Sequence, residues 1–205
     1  MKTTKEELVE QFRISSIQDA AIRVIARKGL SAASMQEIAT EAGIAKGTIY
    51  LYFENQQDLL ERSVDDALSE LLRKLTLALE SAGEFRDRFA LLVRTKVEFF
   101  DSNHDLFRVY LAIKHPEALD QDSRRCSYRE RPQHKIYHEK LLRFIEEGIT
   151  GGEIKQMKPS RVALFLEEGV VAVILQRLAE DSSPQASEDV DWIVDLILHG
   201  ISKPC

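Results

Sequence analysis

Residues 34–53, SMQEIATEAGIAKGTIYLYF, constrain this chain more tightly than any other stretch. Ser34 and Glu37 have the spacing of a capping box. The hydroxyl can accept the Glu37 amide while the carboxylate reaches back to the Ser34 amide. A helix started there meets Gly43, which stops it because glycine enters the left-handed region at little cost. A short second helix is expected over roughly 46–53. Ala39, four residues before the glycine, is small enough to let two helices cross closely, and Ile49, six after it, can lock the second helix inward. Ile49 and Phe53 share one face by their i, i+4 spacing; Lys46 and Tyr50 share another. This is the pattern of a helix-turn-helix, whose second helix presents its N-terminal end to a major groove. Lys46, Gly47 and Thr48 occupy that end, and Gly47 lets the backbone approach DNA closely.

The remaining sequence repeats helical spacing, and no segment alternates over strand length. A first helix is expected over about 8–28, with Ile17, Ala21, Val24 and Ile25 on one face and Gly29 as its stop. Asn55 and Asp58 supply an N-cap and an acidic N3 for a long helix striped by Leu60, Val64, Leu68, Leu71, Leu72, Leu75 and Leu79. Further helices are expected at about 84–101, 103–114, 131–149, 159–180 and 187–201, and 115–130 reads as a loop or short irregular helix opened by Pro116. The fold class is therefore all-α: about nine helices, three short ones followed by a larger bundle. The division expected is residues 1–56, which carry the helix-turn-helix, and 57–205, the helical body.

Composition narrows the function. Of the 205 residues, 28 are Lys or Arg and 34 are Asp or Glu. Residues 1–56 hold 7 of each sign, which leaves the net charge of −6 to the remainder. A bulk basic footprint is absent, so contact with nucleic acid depends on locally placed charge and helix ends. The two cysteines, Cys126 and Cys205, make no disulfide framework. The start lacks an apolar core of signal-peptide length, and the longest apolar run, Gly169 to Leu175, is far short of a bilayer span. A soluble cytoplasmic protein without a membrane partner is expected.

The sequence resembles the tetracycline-repressor (TetR) family of one-component transcriptional regulators. The resemblance lies in Ile17-x-x-Ala-Ala21, Lys28-Gly29, Ser34 to Gly43, and Ala45-Lys-Gly-Thr-Ile-Tyr-Leu-Tyr-Phe53 followed by Asp58-Leu-Leu60. It covers about the first 60 residues; beyond them only length and helical pattern match. It implies a dimer of nine- or ten-helix subunits, operator DNA as partner, and a small-molecule effector in the larger domain that alters the separation of the two DNA heads. Repression is the family default. Ser34, Lys46, Gly47, Thr48, Tyr50, Tyr52 and Gln56 match positions that commonly touch DNA in that family. Ala45 stands where a serine is common, Glu54 where a basic or neutral residue is usual, and Gln56 where a lysine is common.

The body offers its own candidates. Phe89, Phe100, Phe107, Tyr110, Tyr137 and Phe144 are candidate lining for an effector pocket, since pockets in helical bundles are mainly apolar. A neutral or weakly charged apolar effector ranks first, with a cationic one favoured if Glu98 or Glu168 lies within the cavity. Phe165, Gly169, Val173, Trp192, Ile193, Leu196 and Ile197 are candidates for the homodimer interface, because the two last helices carry more apolar surface than one core requires. The long helix from Asn55 is the expected lever between head and body. His134 and His138 have the i, i+4 spacing of a metal face, but the sequence fixes no further ligand beside them, and a solvated or pocket-lining helix is the plainer reading. Cys126 sits among arginines that would lower a thiol pKa; a plain surface cysteine is the simpler reading. No metal and no cofactor is expected. Nor is an enzyme: there is no glycine-rich phosphate loop, nucleophile elbow or repeated Glu-x-x-His. A ligand-independent DNA-binding module and a helical small-molecule carrier are the alternatives.

Overall fold

The computed structural model describes residues 4–29, 31–114, 132–179 and 186–201. Among them the chain forms nine helices and no strand: α1 (Thr4–Lys28), α2 (Met35–Ala42), α3 (Lys46–Ile49), α4 (Gln56–Leu79), α5 (Phe85–Asp101), α6 (His104–Lys114), α7 (Pro132–Gly151), α8 (Pro159–Ala179) and α9 (Ala186–Ile201). The all-α expectation holds, with most boundaries within a few residues of those read from caps and breakers. Cys126, Cys205 and the arginine-rich run around Cys126 lie outside the described residues.

Two compact units emerge. The first comprises residues up to Leu68 together with α6 from Asp105, and the second comprises 69–104 with α7, α8 and α9. The first is larger than the 1–56 segment, because Leu59, Leu60, Val64 and Leu68 of α4 and Leu106, Phe107, Val109 and Tyr110 of α6 are buried with it. In this unit α1 packs on α2 and α2 on α3. Gln18 of α1 donates to Asp66 of α4 at 2.5 Å.

In the second unit α5 packs against α8 and α9, α8 against α7 and α9. Phe85 and Phe89 of α5 stack on Phe144 of α7, with ring centroids 4.6 and 6.5 Å apart. Gly148 permits that approach: a Cβ there would lie 2.5 Å from the Phe85 ring. Arg88 lies 4.8 Å over the Phe144 ring, donates to Glu147 at 2.5 Å, and donates to the Leu79 carbonyl at 2.6 Å. One guanidinium thus joins α5 to α7 while satisfying a carbonyl at the open end of α4.

Candidate DNA-binding surface

Both ends of α2 are closed as the sequence implies. The Ser34 hydroxyl accepts the Glu37 amide at 3.3 Å, and the Glu37 carboxylate accepts the Ser34 amide at 3.2 Å. At the other end Gly43 has φ +67°, its N–H reaches the Thr40 carbonyl, and the Ile44 N–H reaches Ala39 at 3.0 Å. That double closure is a Schellman turn, and it sets the direction in which α3 leaves.

α3 is shorter than the expected 46–53. Its regular part ends at Ile49, and the chain continues as tight turns, with Leu51 N–H donating to Thr48 and Tyr52 N–H to Ile49. The run Thr-Ile-Tyr-Leu-Tyr-Phe consists mostly of β-branched and aromatic residues, which lose χ1 freedom in a helix. Burial still follows the expected faces. Ile49 and Phe53 are buried, while Lys46, Gly47, Tyr50 and Leu51 are exposed and Thr48 and Tyr52 half-buried. Arg62 of α4 lies 4.6 Å over the Phe53 ring and donates to the Tyr52 carbonyl at 3.0 Å, which fixes the segment after α3. Nothing in the local motif marked Arg62 for this role; the signal is a cation nine residues after an aromatic, across a helix start.

Charge in this unit is largely paired. Glu41 of α2 accepts from Arg23 at 2.8 Å and from Arg27 at 2.6 Å, both on α1, and Lys28 pairs with Glu37. The hydrogen bonds from Arg27 and then Arg23 hold the Glu41 carboxyl below the usual range, and Lys28 and Ser34 do the same for Glu37. The Ser34 hydroxyl also donates to Glu37 at 2.8 Å, so its proton is engaged within the cap. Gln56 donates its amide to the Ala33 carbonyl, tying the start of α4 to the turn before α2. Lys46 makes no ion pair among the described residues. An open cleft of about 410 Å³ beside Tyr52 is lined by Lys5, Glu6, Val9, Glu10 and Arg13 of α1, two cations against two carboxylates.

The candidate pocket residues separate. Phe107 and Tyr110 stack with centroids 6.2 Å apart in the first unit, whereas Phe89, Phe100, Tyr137 and Phe144 are buried in the second. The interface candidates separate as well. Phe165, Trp192 and Leu196 are 59, 55 and 51% exposed, and Gly169 and Val173 are half-buried. Ile193 and Ile197, also expected at the interface, are buried in the chain's own core, one step around α9 from Trp192 and Leu196. Leu164 and Leu175, not singled out from sequence, are exposed on α8 beside these. The imidazoles of His134 and His138 stack with centroids 5.9 Å apart, and no group of three or more metal-ligating side chains gathers among the described residues.

Residues 17–62 match the family model described as bacterial regulatory proteins, tetR family. Over residues 17–62 the chain is a TetR-family regulatory protein. It is 29% identical over 155 residues to the fatty acid metabolism regulator protein of Bacillus subtilis, covering 76% of this chain and 77% of that one. It is 25% identical over 199 residues to the HTH-type transcriptional repressor KstR2 of Rhodococcus jostii, covering 94% and 92%. Its fold is that of the transcriptional regulator FadR from Bacillus subtilis in complex with stearoyl-CoA, with a TM-score of 0.75 at 23% identity over 91% of this chain and 98% of that one. In TetR terms, α2 and α3 are the helix-turn-helix pair, and α1 and the start of α4 buttress it. The relatives are regulators rather than enzymes, and no described helix is long and apolar enough to cross a membrane.

Proposed function

We propose that this regulator is a repressor that binds a two-fold symmetric operator as a homodimer and leaves it when a small, mainly apolar molecule binds the second unit. The observation that carries the reading is the two-sidedness of residues 46–53. Ile49 and Phe53 anchor the segment in the core, and Lys46, Gly47 and Tyr50 face solvent at the end a major groove receives. Lys46 and Thr48 suit base edges or phosphate, and the hydroxyls of Tyr50 and Tyr52 suit phosphate. Ser34 and Gln56 act in this reading mainly as supports, since each is engaged in a hydrogen bond of the fold.

The division of labour we assign puts DNA contact in 1–56 and effector binding and dimerisation in 57–205. Leu164, Phe165, Leu175, Trp192 and Leu196 supply an exposed apolar surface on α8 and α9 suited to a symmetric pairing of these helices. Relatives named for fatty acid metabolism and a neighbour holding stearoyl-CoA support an effector with a long apolar body. α4 is one continuous helix from Gln56 to Leu79 with buried side chains in both units, and we assign it the transmission of the effector signal.

The test is operator selection from genomic fragments followed by anisotropy titration. Lys46→Ala and Tyr50→Phe should each weaken binding, by about 1–3 kcal/mol for a base-reading pair and less for a phosphate contact, with far-UV circular dichroism unchanged. Wild-type binding by both variants would discard this placement of α3. Effector and operator should also weaken each other's binding by the same factor.

A further inference from the structure

Leu51 is 77% exposed, more than any other large apolar side chain among the described residues, and it lies inside the segment assigned above to the major groove. The turns that follow α3 keep the helical sense. The Phe53 N–H donates to the Ile49 carbonyl at 3.0 Å, and the Leu51 N–H to the Thr48 carbonyl at 3.2 Å. At about 100° per residue, Leu51 therefore stands nearly opposite Ile49, whose side chain is fully buried. Ile49 roots the segment, and Leu51 points away from that root. Gly47, four residues earlier, falls on the same side as Leu51. A Cβ on Gly47 would meet nothing within 4 Å, so the surface on that side is open backbone. Lys46 and Tyr50, the residues just before Gly47 and Leu51, are exposed too. An occupant that covers Leu51 thus also meets the Lys46 ammonium and the Tyr50 hydroxyl. An apolar protein surface would strip water from both without replacing their hydrogen bonds. The major groove of a duplex instead offers acceptors and phosphates beside an apolar group, the 5-methyl of thymine.

We infer that Leu51 reads a thymine in each operator half-site, its side chain covering the 5-methyl group over the gap left by Gly47. The contact carries no hydrogen bond, so it discriminates by shape and by the water it displaces. Cytosine lacks the methyl and presents an amino donor to the groove, which Leu51 leaves unpaired. Leu51 thereby adds base discrimination to a surface whose tyrosine hydroxyls suit phosphate. The assignment rests on the reading of 46–53 as the segment that enters the major groove.

The test uses the full chain and an operator duplex recovered by selection from genomic fragments, with each thymine replaced in turn by uracil. Uracil pairs as thymine does and lacks only the 5-methyl. Wild type should bind about fourfold more weakly when the thymine under Leu51 is replaced in one half-site, the ratio expected when one methyl leaves an apolar contact. Replacement in both half-sites should multiply the two losses. Leu51→Ala should bind the thymine operator more weakly than wild type and tell thymine from uracil at that position by less than about 1.5-fold. Leu51→Met, which keeps an apolar side chain of similar volume, should retain most of the difference. Lys46→Ala should weaken both duplexes alike and leave the ratio intact. A flat uracil scan with wild type, or an unchanged thymine-to-uracil ratio in Leu51→Ala, would overturn the assignment. Either result with the operator still bound leaves the DNA-binding reading standing, whereas a wild-type chain that retains no fragment removes both. The wild-type scan needs no variant, so it decides even if Leu51→Ala fails to fold.

Discussion

Arg23, Arg27 and Lys28 sit at the surface of the first unit, each facing a carboxylate one helix away, whereas Lys96, His134 and Arg177 of the second unit are nine-tenths or more buried. Exposed pairs contribute little to stability, typically about 0–1 kcal/mol. Their use in a small unit is geometric: three contacts from α1 hold α2, and through the Schellman turn they aim α3. In the second unit Arg177 is structural. Its guanidinium donates to Asp101 of α5 at 2.7 and 3.1 Å and also to Asp189 of α9, so one cation on α8 links three helices. Those hydrogen bonds, the ones to Asp101 foremost, raise the Arg177 pKa above its ordinary value. The glycines differ in the same sense. Gly148 is crowded by its own fold, while a Cβ on Gly47 would meet nothing within 4 Å.

Asp101→Ala offers the hardest blow to this contrast. It takes the doubly bonded Asp101 carboxylate from a buried guanidinium, and urea denaturation should show a loss of about 3 kcal/mol. A loss below about 1 kcal/mol would class the cluster with the surface pairs. Gly148→Ala comes next: the added methyl must push Phe85 off Phe144, for a cost of about 1–3 kcal/mol. Gly47→Ala should do the reverse. Stability should rise by roughly 0.5 kcal/mol as a helical glycine is replaced, while operator affinity falls if the backbone there approaches DNA. Unchanged operator binding would show that Gly47 is only a helix residue.

The smallest effect belongs to Glu41 and is visible only against pH. Its folded carboxyl lies below the ordinary value of 4.5. The stability it contributes is present above that ordinary value and is lost as pH falls through the folded one. Glu41→Gln should therefore flatten the stability profile below about pH 4.5 and leave it alone at neutral pH, apart from the modest loss of the surface pair itself. An unaltered acid limb would mean that the pair does not persist in solution.

Helix ends were readable because they are local. Ser34 with Glu37, Asn55 with Asp58, and Gly43 each close a hydrogen bond within about five residues, as the structure shows. The early end of α3 was less readable, because the turn chemistry of residues 49–53 depends on Arg62 holding Phe53 and the Tyr52 carbonyl. Periodicity also showed that α9 is apolar at 192, 193, 196 and 197 without dividing those positions. Residues one apart lie about 100° around a helix, so Ile193 and Ile197 enter the chain's core while Trp192 and Leu196 stay outside. The aromatics were harder still: Phe107 and Phe100 are seven residues apart yet fall in different units. The tie from Gln56 to the Ala33 carbonyl, 23 residues away, had no local signal either.

The pairing of Arg23, Arg27 and Lys28 carries a consequence for the protein's life among chromosomal DNA. Cations already matched to carboxylates release few counterions when they meet a duplex, so attraction to arbitrary sequence is weak and only gently dependent on salt. A genome presents about 10⁶–10⁹ competing sites, and a regulator that most of them barely hold is not diluted by them. Few molecules per cell would then suffice to occupy an operator of the kind proposed.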